Sequence, residues 1–450
     1  MTLSSAEERL SAGRALRSKV SRKSHSGWKP PADRPDPIQL LIESDQGRIA
    51  KLLPIRYGRM SKSPFTFLRG AAAIMAWDLA RTPTAQIRVQ VGGDCHIMNF
   101  GAFATPERNL IFDINDFDET LPAPFEWDLK RLAASIAVAG RSAGSKPKDC
   151  ERATRTALQT YRQRMAEYAR MAALEVWYQR IDFAPLMKRL PQPDAHARSR
   201  KAIEKARRKS LPLHILPTVA EGGKDRIRDD PPLIFHEAEQ RTPAYFERMV
   251  AGFGRYRESL APAFRVLFDR YQLRDIALKV VGVGSVGTYC EAALFTDGLE
   301  DPLFLQLKEA RASVLEPYAG RSAFAYHGER VVVGQRLMQA ASDILLGWTV
   351  DPESGRHFYV RQLRDMKVPM PVDTSDPTDL AYFAEACGWS LSRAHARSGD
   401  PAIIAGYLGS SEAFDDALVK FAVDYADQTE SDHAALLKAI KQGRIKAEDA

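Results

Sequence analysis

Cysteine is scarce in this chain of 450 residues: Cys95, Cys150, Cys290 and Cys387 are the only four, and no two stand at C-x-x-C spacing. That scatter suggests neither a zinc site nor a disulfide framework, and a reducing compartment is the simplest setting. Long apolar runs are missing too; none approaches the roughly 20 residues a membrane-spanning helix needs. The opening MTLSSAEERLSAGRALRSKVSRKSHSGWK has no apolar stretch of the secretory kind. A cytoplasmic protein without a membrane partner is therefore expected. There is no internal repeat and no long low-complexity segment. What remains is ordinary globular composition, with 45% hydrophobic and 27% charged residues. The length suits two lobes or two to three domains better than one core.

The formal charge of +7 comes from 64 basic against 57 acidic residues. Part of the excess lies in the first 34 residues and in ARSRKAIEKARRKS, residues 197–210. No aromatic residues interleave that second run, so nothing there offers a base-stacking surface. It reads as a solvated helix face, and a nucleic-acid partner is not expected.

Along the chain, residues 1–36 are polar, basic and proline-punctuated, and predict a flexible arm with little structure of its own. QIRVQVGGD (86–94) alternates with period two and predicts a strand ending at glycines. LIFDINDFDE (110–119) predicts a second strand, and EWDLKRLAASIAVAGRSAG (126–144) a buried helix. Residues 150–180 and 243–271 read as helices, separated by a proline- and charge-broken stretch that reads as an irregular excursion or a hairpin. DIALKVVGVGSVG, TYCEAALFTDG and PLFLQLKEA then predict three short strands. GERVVVGQRLMQAASD (328–343) is a helix, ILLGWTV and HFYVRQLRDMK are strands, and 379–399 and 411–441 are closing helices.

Two stretches carry chemistry. In VGGDCHIMNFGAF (91–103), Asp94 precedes Asn99 by five positions. Phosphoryl transfer needs a carboxylate to take the hydroxyl proton and oxygen ligands for Mg²⁺. That spacing on a short loop can aim both groups into one cleft, with Asp94 as base and Asn99 as metal ligand. NDFD then supplies Asp116 as a second ligand; hard oxygens suit Mg²⁺. Asp113, Asp118 and Glu119 add negative charge, and any of them could replace Asp116. His96 reads as a residue that shapes the loop, since no third partner at ligand spacing makes a soft-metal site with Cys95.

The second stretch, KVVGVGSVGTYCEAALF (279–295), fits G-x-G-x-x-G at Gly282, Gly284 and Gly287, with Ser285 between them. A dinucleotide-binding reading would need a helix directly after Gly287. The β-formers that follow favour a hairpin strand instead. A phosphate-cradling loop between strands would be followed by a lysine on a third strand, and Lys308 in LFLQLKEA supplies it. Glu329 is the expected carboxylate partner of Lys308, with Glu309 and Glu316 as alternatives.

These stretches resemble the G-D-x-H-x-x-N loop and following metal aspartate of aminoglycoside phosphotransferases and other protein-kinase-like small-molecule kinases. RYGRMSKSPFTFLRG, GDCHIMNFG, NDFDET, WDLKRLAAS, KVVGVGSVGT, LQLKEA, GQRLMQAASD and AHARSGD resemble, more closely, a bacterial family known as domain of unknown function 2252. The resemblance spans about residues 50–410. It implies an α+β, two-lobed, protein-kinase-like fold using ATP and Mg²⁺, and leaves the phosphate acceptor unidentified. The order of parts is inverted, because Asp94, Asn99 and Asp116 precede the glycine loop and Lys308. A circular permutation would reconcile this with convergence in space.

The expected organisation is a basic arm (1–36), a catalytic large-lobe segment (37–145), a helical insertion (146–271), a β-rich nucleotide-binding small lobe (272–370) and C-terminal helices (371–450). Arg56, Arg59 and Arg69 could bind phosphate or an acidic substrate, or form structural salt bridges. Asp128 is expected to brace the catalytic loop. The reading is a kinase-like phosphotransferase in which Lys308 faces the early carboxylates across a triphosphate-wide gap. A nucleotide-binding regulatory protein, a nucleotidyl transferase and a Rossmann oxidoreductase are the alternatives.

Overall fold

The structure is a computed structural model that describes residues 4–189, 197, 201, 204, 218–221, 224–363, 366–368 and 376–448. Most of the basic run 197–210 lies outside the described residues. The fold is a helix-rich α+β arrangement with no closed barrel among the described residues. No described helix is long and apolar enough to cross a membrane.

Helix Phe125–Ser142 is buried from Phe125 to Gly140. Its alanines, leucines and isoleucine pack the later turns, and the charged Glu126, Asp128, Lys130 and Arg131 of the first turns are buried against hydrogen-bond partners. Helices Pro147–Tyr168, Pro377–Ser398, Pro401–Leu408 and Ala413–Lys441 enclose it in the largest hydrophobic core. The closest pairing in this body joins Pro147–Tyr168 to Pro377–Ser398. Gly388 permits it, since a Cβ there would stand 2.1 Å from the Ala157 carbonyl oxygen.

Four short strands precede the long helix: β1 (Arg88–Val91), β2 (Phe100–Ala104), β3 (Leu110–Ile114) and β4 (Leu121–Pro124). β2 and β3 form an antiparallel hairpin, while β4 returns to pair with β1. Because Val91 pairs with Leu121, the loop leaving β1 and the loop entering β4 emerge side by side. This register brings Asp94 and the acids of residues 115–120 to one end of the ladder.

Two strands, β5 (Thr218–Glu221) and β6 (Lys224–Ile227), pair antiparallel, which is the hairpin of the two readings of this stretch. Then come β7 (Ile234–Phe235), β8 (Gln272–Lys279), β9 (Cys290–Thr296), β10 (Pro302–Ala310), β11 (Gly347–Val350) and β12 (His357–Gln362). They form one antiparallel sheet in the order β11-β12-β10-β9-β8-β7. Successive side chains alternate between faces. Ile276, Phe295, Leu305, Leu307 and Val360 pack on helices Pro243–Ser259 and Pro262–Phe268. Lys308, Cys290 and Tyr359 share the opposite face, since Lys308 pairs across strands with both.

Two expectations about organisation need correction. The first 36 residues are not a structureless arm. Ser5 caps helix Ala6–Ala15 in a capping box, and this helix packs on Pro401–Leu408. Arg34 bridges buried Asp78 and Asp432 at 2.8 and 2.7 Å. The basic side chains of this segment find carboxylates and carbonyls far along the chain; Arg17 and Arg22 donate to the carbonyls of residues 406–408, at the end of helix Pro401–Leu408. Nor is 146–271 one insertion. Its first helix belongs to the main helical core, and its last two cover the six-stranded sheet.

Candidate functional site: the cleft between the acidic loop and the glycine loop

A turn at Gly92–Gly93 ends β1. Gly93 has φ +80°, a conformation glycine adopts without steric cost, and a Cβ there would lie 2.4 Å from the Glu119 carbonyl oxygen. Asp128, at the start of the long helix, accepts hydrogen bonds from the Gly92 and Gly93 amides at 2.7 and 3.0 Å. Behind it, His395 Nε2 lies 3.2 Å from Asp128 Oδ2, and Tyr161 hydrogen-bonds His395 Nδ1 at 2.8 Å. Asp128 therefore braces the loop from inside the protein, as expected.

The loop so held points Asp94 into a cleft. Arg131 donates to Asp94 Oδ1 from Nε at 2.9 Å and from Nη2 at 2.6 Å. Burial nonetheless pushes the Asp94 carboxyl up to about 6, with Arg131 opposing the rise. Asn99 Nδ2 donates to the Asp94 carbonyl oxygen at 2.6 Å. His96 is buried; burial, with Arg131 and Arg69 close by, pushes it well below its ordinary value, so its ring is neutral.

Asp116, Asp118 and Glu119 line the same cleft from the β3–β4 loop. Burial opposes the Asp116 charge, yet Lys308, Arg361 and Lys367 hold its carboxyl at about 2. Its Oδ1 is buried and has no hydrogen-bond partner. Burial pushes Glu119 up to about 7, where its Oε2 accepts from the Val314 amide at 2.7 Å. Asp113 is elsewhere: fully buried, it takes Arg393 on both oxygens at 2.7 Å and serves the core.

The glycine loop joins β8 to β9 and forms the facing wall. Gly282, Gly284 and Ser285 line the cleft; Gly282 and Gly287 have φ of +66° and +88°. Ser285 Oγ donates to Asp118 Oδ2 at 3.4 Å. After Gly287 the chain enters strand β9 rather than a helix, which removes the geometry a dinucleotide-binding turn requires.

Lys308 does not line the cleft itself; it is buried behind the carboxylates that do. Its Nζ contacts Asp118 Oδ2 and lies 3.6 Å from Asp116 Oδ1. Burial works against the ammonium, but Asp116 and Asp118 raise its pKa well above the ordinary value. Tyr359, beside it on β12, donates to Asp118 Oδ1 at 2.8 Å. The expected partner Glu329 is thus replaced by Asp118 and Asp116; helix His327–Met338 instead sends Arg330 to the Asp118 and Thr120 carbonyls. The triphosphate-wide gap is also absent, since ammonium and carboxylate touch.

The cleft encloses about 380 Å³. Three arginines from the segment before β1 line its remaining side: Arg48, Arg56 and Arg69. Arg48 was not singled out in the sequence, and neither was Arg131. Arg48 Nη1 donates to the Gly284 and Val286 carbonyls at 2.8 and 2.7 Å, and Arg59 Nη1 to Gly282 at 2.7 Å. These two guanidinium groups therefore hold the glycine loop by its carbonyls. No sequence pattern pairs residues so far apart.

Among the described residues, no three His, Cys, Asp or Glu side chains form a ready-made metal cluster. All four cysteines are free and buried. Neither a curated protein nor a solved structure matches the chain. One family pattern, described as "Uncharacterized protein conserved in bacteria (DUF2252)", matches residues 48–439, and the chain belongs to that family.

Proposed function

We propose that this DUF2252 protein is a phosphotransferase that moves the terminal phosphoryl group of a magnesium–ATP complex to an acceptor hydroxyl. One observation carries the reading: Asp94, Asp116 and the glycine loop, widely separated in the chain, line a single cleft, and Lys308 pairs with its Asp118 and Asp116 from behind the wall. A kinase-like arrangement in permuted order, with the strand–glycine loop–strand–lysine unit following the catalytic loop, is part of the proposal.

Asp94 is ionised at neutral pH and basic enough to take a proton. It removes the proton of the acceptor hydroxyl as that oxygen bonds to the γ-phosphorus. The bond from phosphorus to the β–γ bridging oxygen breaks, and ADP leaves. Arg131 orients the Asp94 carboxylate, and Asp128 fixes the loop that carries it. Lys308, anchored by Asp116 and Asp118, still has an ammonium proton to direct at the phosphates. Gly282, Gly284 and Ser285 admit the phosphates close to the backbone. Asp116, whose Oδ1 has no hydrogen-bond partner, and Asn99 would hold Mg²⁺, which neutralises phosphate charge.

The test is transfer of γ-labelled phosphate by the purified full chain in Mg²⁺. D94N is expected to lower turnover by about 10²–10⁴-fold, the range for a lost general base, and D116N to abolish it. Full turnover in either variant would refute the assigned roles. Transfer of α-labelled nucleotide would identify nucleotidyl transfer instead, and binding without turnover a regulatory protein.

A further inference from the structure

The guanidinium groups of Arg56 and Arg69 are not needed to hold the glycine loop. Arg69 lines the cleft and, among the described residues, makes no hydrogen bond or ion pair; its Nε is buried without a partner. Arg56 is 1% exposed. Its Nη2 donates to the Gly70 carbonyl at 2.9 Å, and its Nη1 lies 3.1 Å from Asp45 Oδ1 without hydrogen-bond geometry. Its Nε and Nη1 are left without hydrogen-bond partners. Buried guanidinium donors left open are costly, and anionic ligands are what satisfy them.

A second feature meets them. Helix Ala72–Leu79 begins just past Arg69, and no side chain caps its N-terminus at Ala71. Ala72 and Ala73 line the cleft, so small side chains leave the first-turn amides open to it. The helix start adds partial positive charge and free N–H donors. Arg131, which holds Asp94, also donates to the Leu68 carbonyl at 2.7 Å, so the Arg69 turn and the Asp94 carboxylate are tied to one side chain.

We propose that Arg56, Arg69 and the start of helix Ala72–Leu79 form a second anion site, which takes a phosphate or carboxylate group on the phosphoryl acceptor. The acceptor is thus a small hydroxyl compound bearing its own anionic group, held with its hydroxyl toward Asp94. This rests on the phosphotransferase reading, but the anion site can be measured without it. Two negative reagents then occupy one cleft on opposite walls: nucleotide phosphates by the glycine loop and Lys308, and acceptor anion by the arginine wall.

The experiment is calorimetric titration of the full chain with inorganic phosphate and, separately, with succinate. Each is run alone and with saturating Mg²⁺ and a non-hydrolysable ATP analogue. One of the two anions is expected to bind in both conditions, and which one does so separates phosphate esters from carboxylates. R69Q is expected to weaken that anion about tenfold or more, the worth of a charge-assisted hydrogen bond, with nucleotide affinity within about twofold of wild type. R69K, which keeps the charge, should recover part of the loss and guards against misfolding of R69Q. Competition between anion and nucleotide would assign the arginines to the triphosphate and overturn the proposal. Failure of both anions to bind, or equal binding by R69Q, would overturn it as well. If the nucleotide analogue does not bind at all, the phosphotransferase reading falls, while anion binding lost in R69Q would still establish the site.

Discussion

Replacing Asp128 with alanine tests whether the loop that carries Asp94 is held from inside. The carboxylate is fully buried and accepts the amides of Gly92 and Gly93 at 2.7 and 3.0 Å. Alanine leaves both N–H groups without an acceptor, the Gly92 one buried and the Gly93 one partly buried. Each unsatisfied buried donor costs about 1–3 kcal/mol, so D128A should destabilise the protein by about 2–6 kcal/mol. Asparagine presents one acceptor oxygen where the carboxylate offered two, so D128N should lose about half as much. Urea unfolding read by tryptophan fluorescence gives both values, provided the slopes match wild type. A D128A variant within about 0.5 kcal/mol of wild type would mean that the glycine turn stands without its brace.

Two further outcomes concern the N-terminal segment. R34M removes a guanidinium that satisfies two buried carboxylates, and should cost about 3–5 kcal/mol by the same unfolding measurement. His25 is held at about 3 by burial, then by the nearby Lys130 charge, and its Nε2 hydrogen-bonds Tyr407 at 2.7 Å. Its folded pKa lies below the ordinary value of about 6.5, so the unfolded chain binds the extra proton and stability falls as pH drops. Between pH 6.5 and 4 wild type should lose up to about 1.4 kcal/mol per pH unit relative to H25F; parallel curves would place His25 in water.

Local patterns showed the parts of the site that depend on neighbours in sequence. Period-two alternation before the glycines marked β1, and β-formers after Gly287 marked β9 as a strand. The Asp94–Asn99 spacing and the acids after β3 stand on loops that emerge together because β4 returns to β1. Lys308 followed from strand order. What escaped was long-range pairing. The carboxylates on Lys308 come from the early loop and not from Glu329, because the sheet turns Lys308 toward the cleft while helix His327–Met338 directs Arg330 there. The N-terminal segment looked unstructured because Arg34 finds Asp432 almost at the other end of the chain. Of the arginines before β1, Arg59 braces the glycine loop whereas Arg69 keeps an open guanidinium, a difference that composition cannot register.

Calorimetry of ATP binding, with and without Mg²⁺, in wild type and K308M is the most direct measurement. The account predicts Mg²⁺-dependent binding that K308M weakens by at least about tenfold, the loss of one charge-assisted contact. Equal binding by K308M, or no ATP binding in the presence of Mg²⁺, would contradict it.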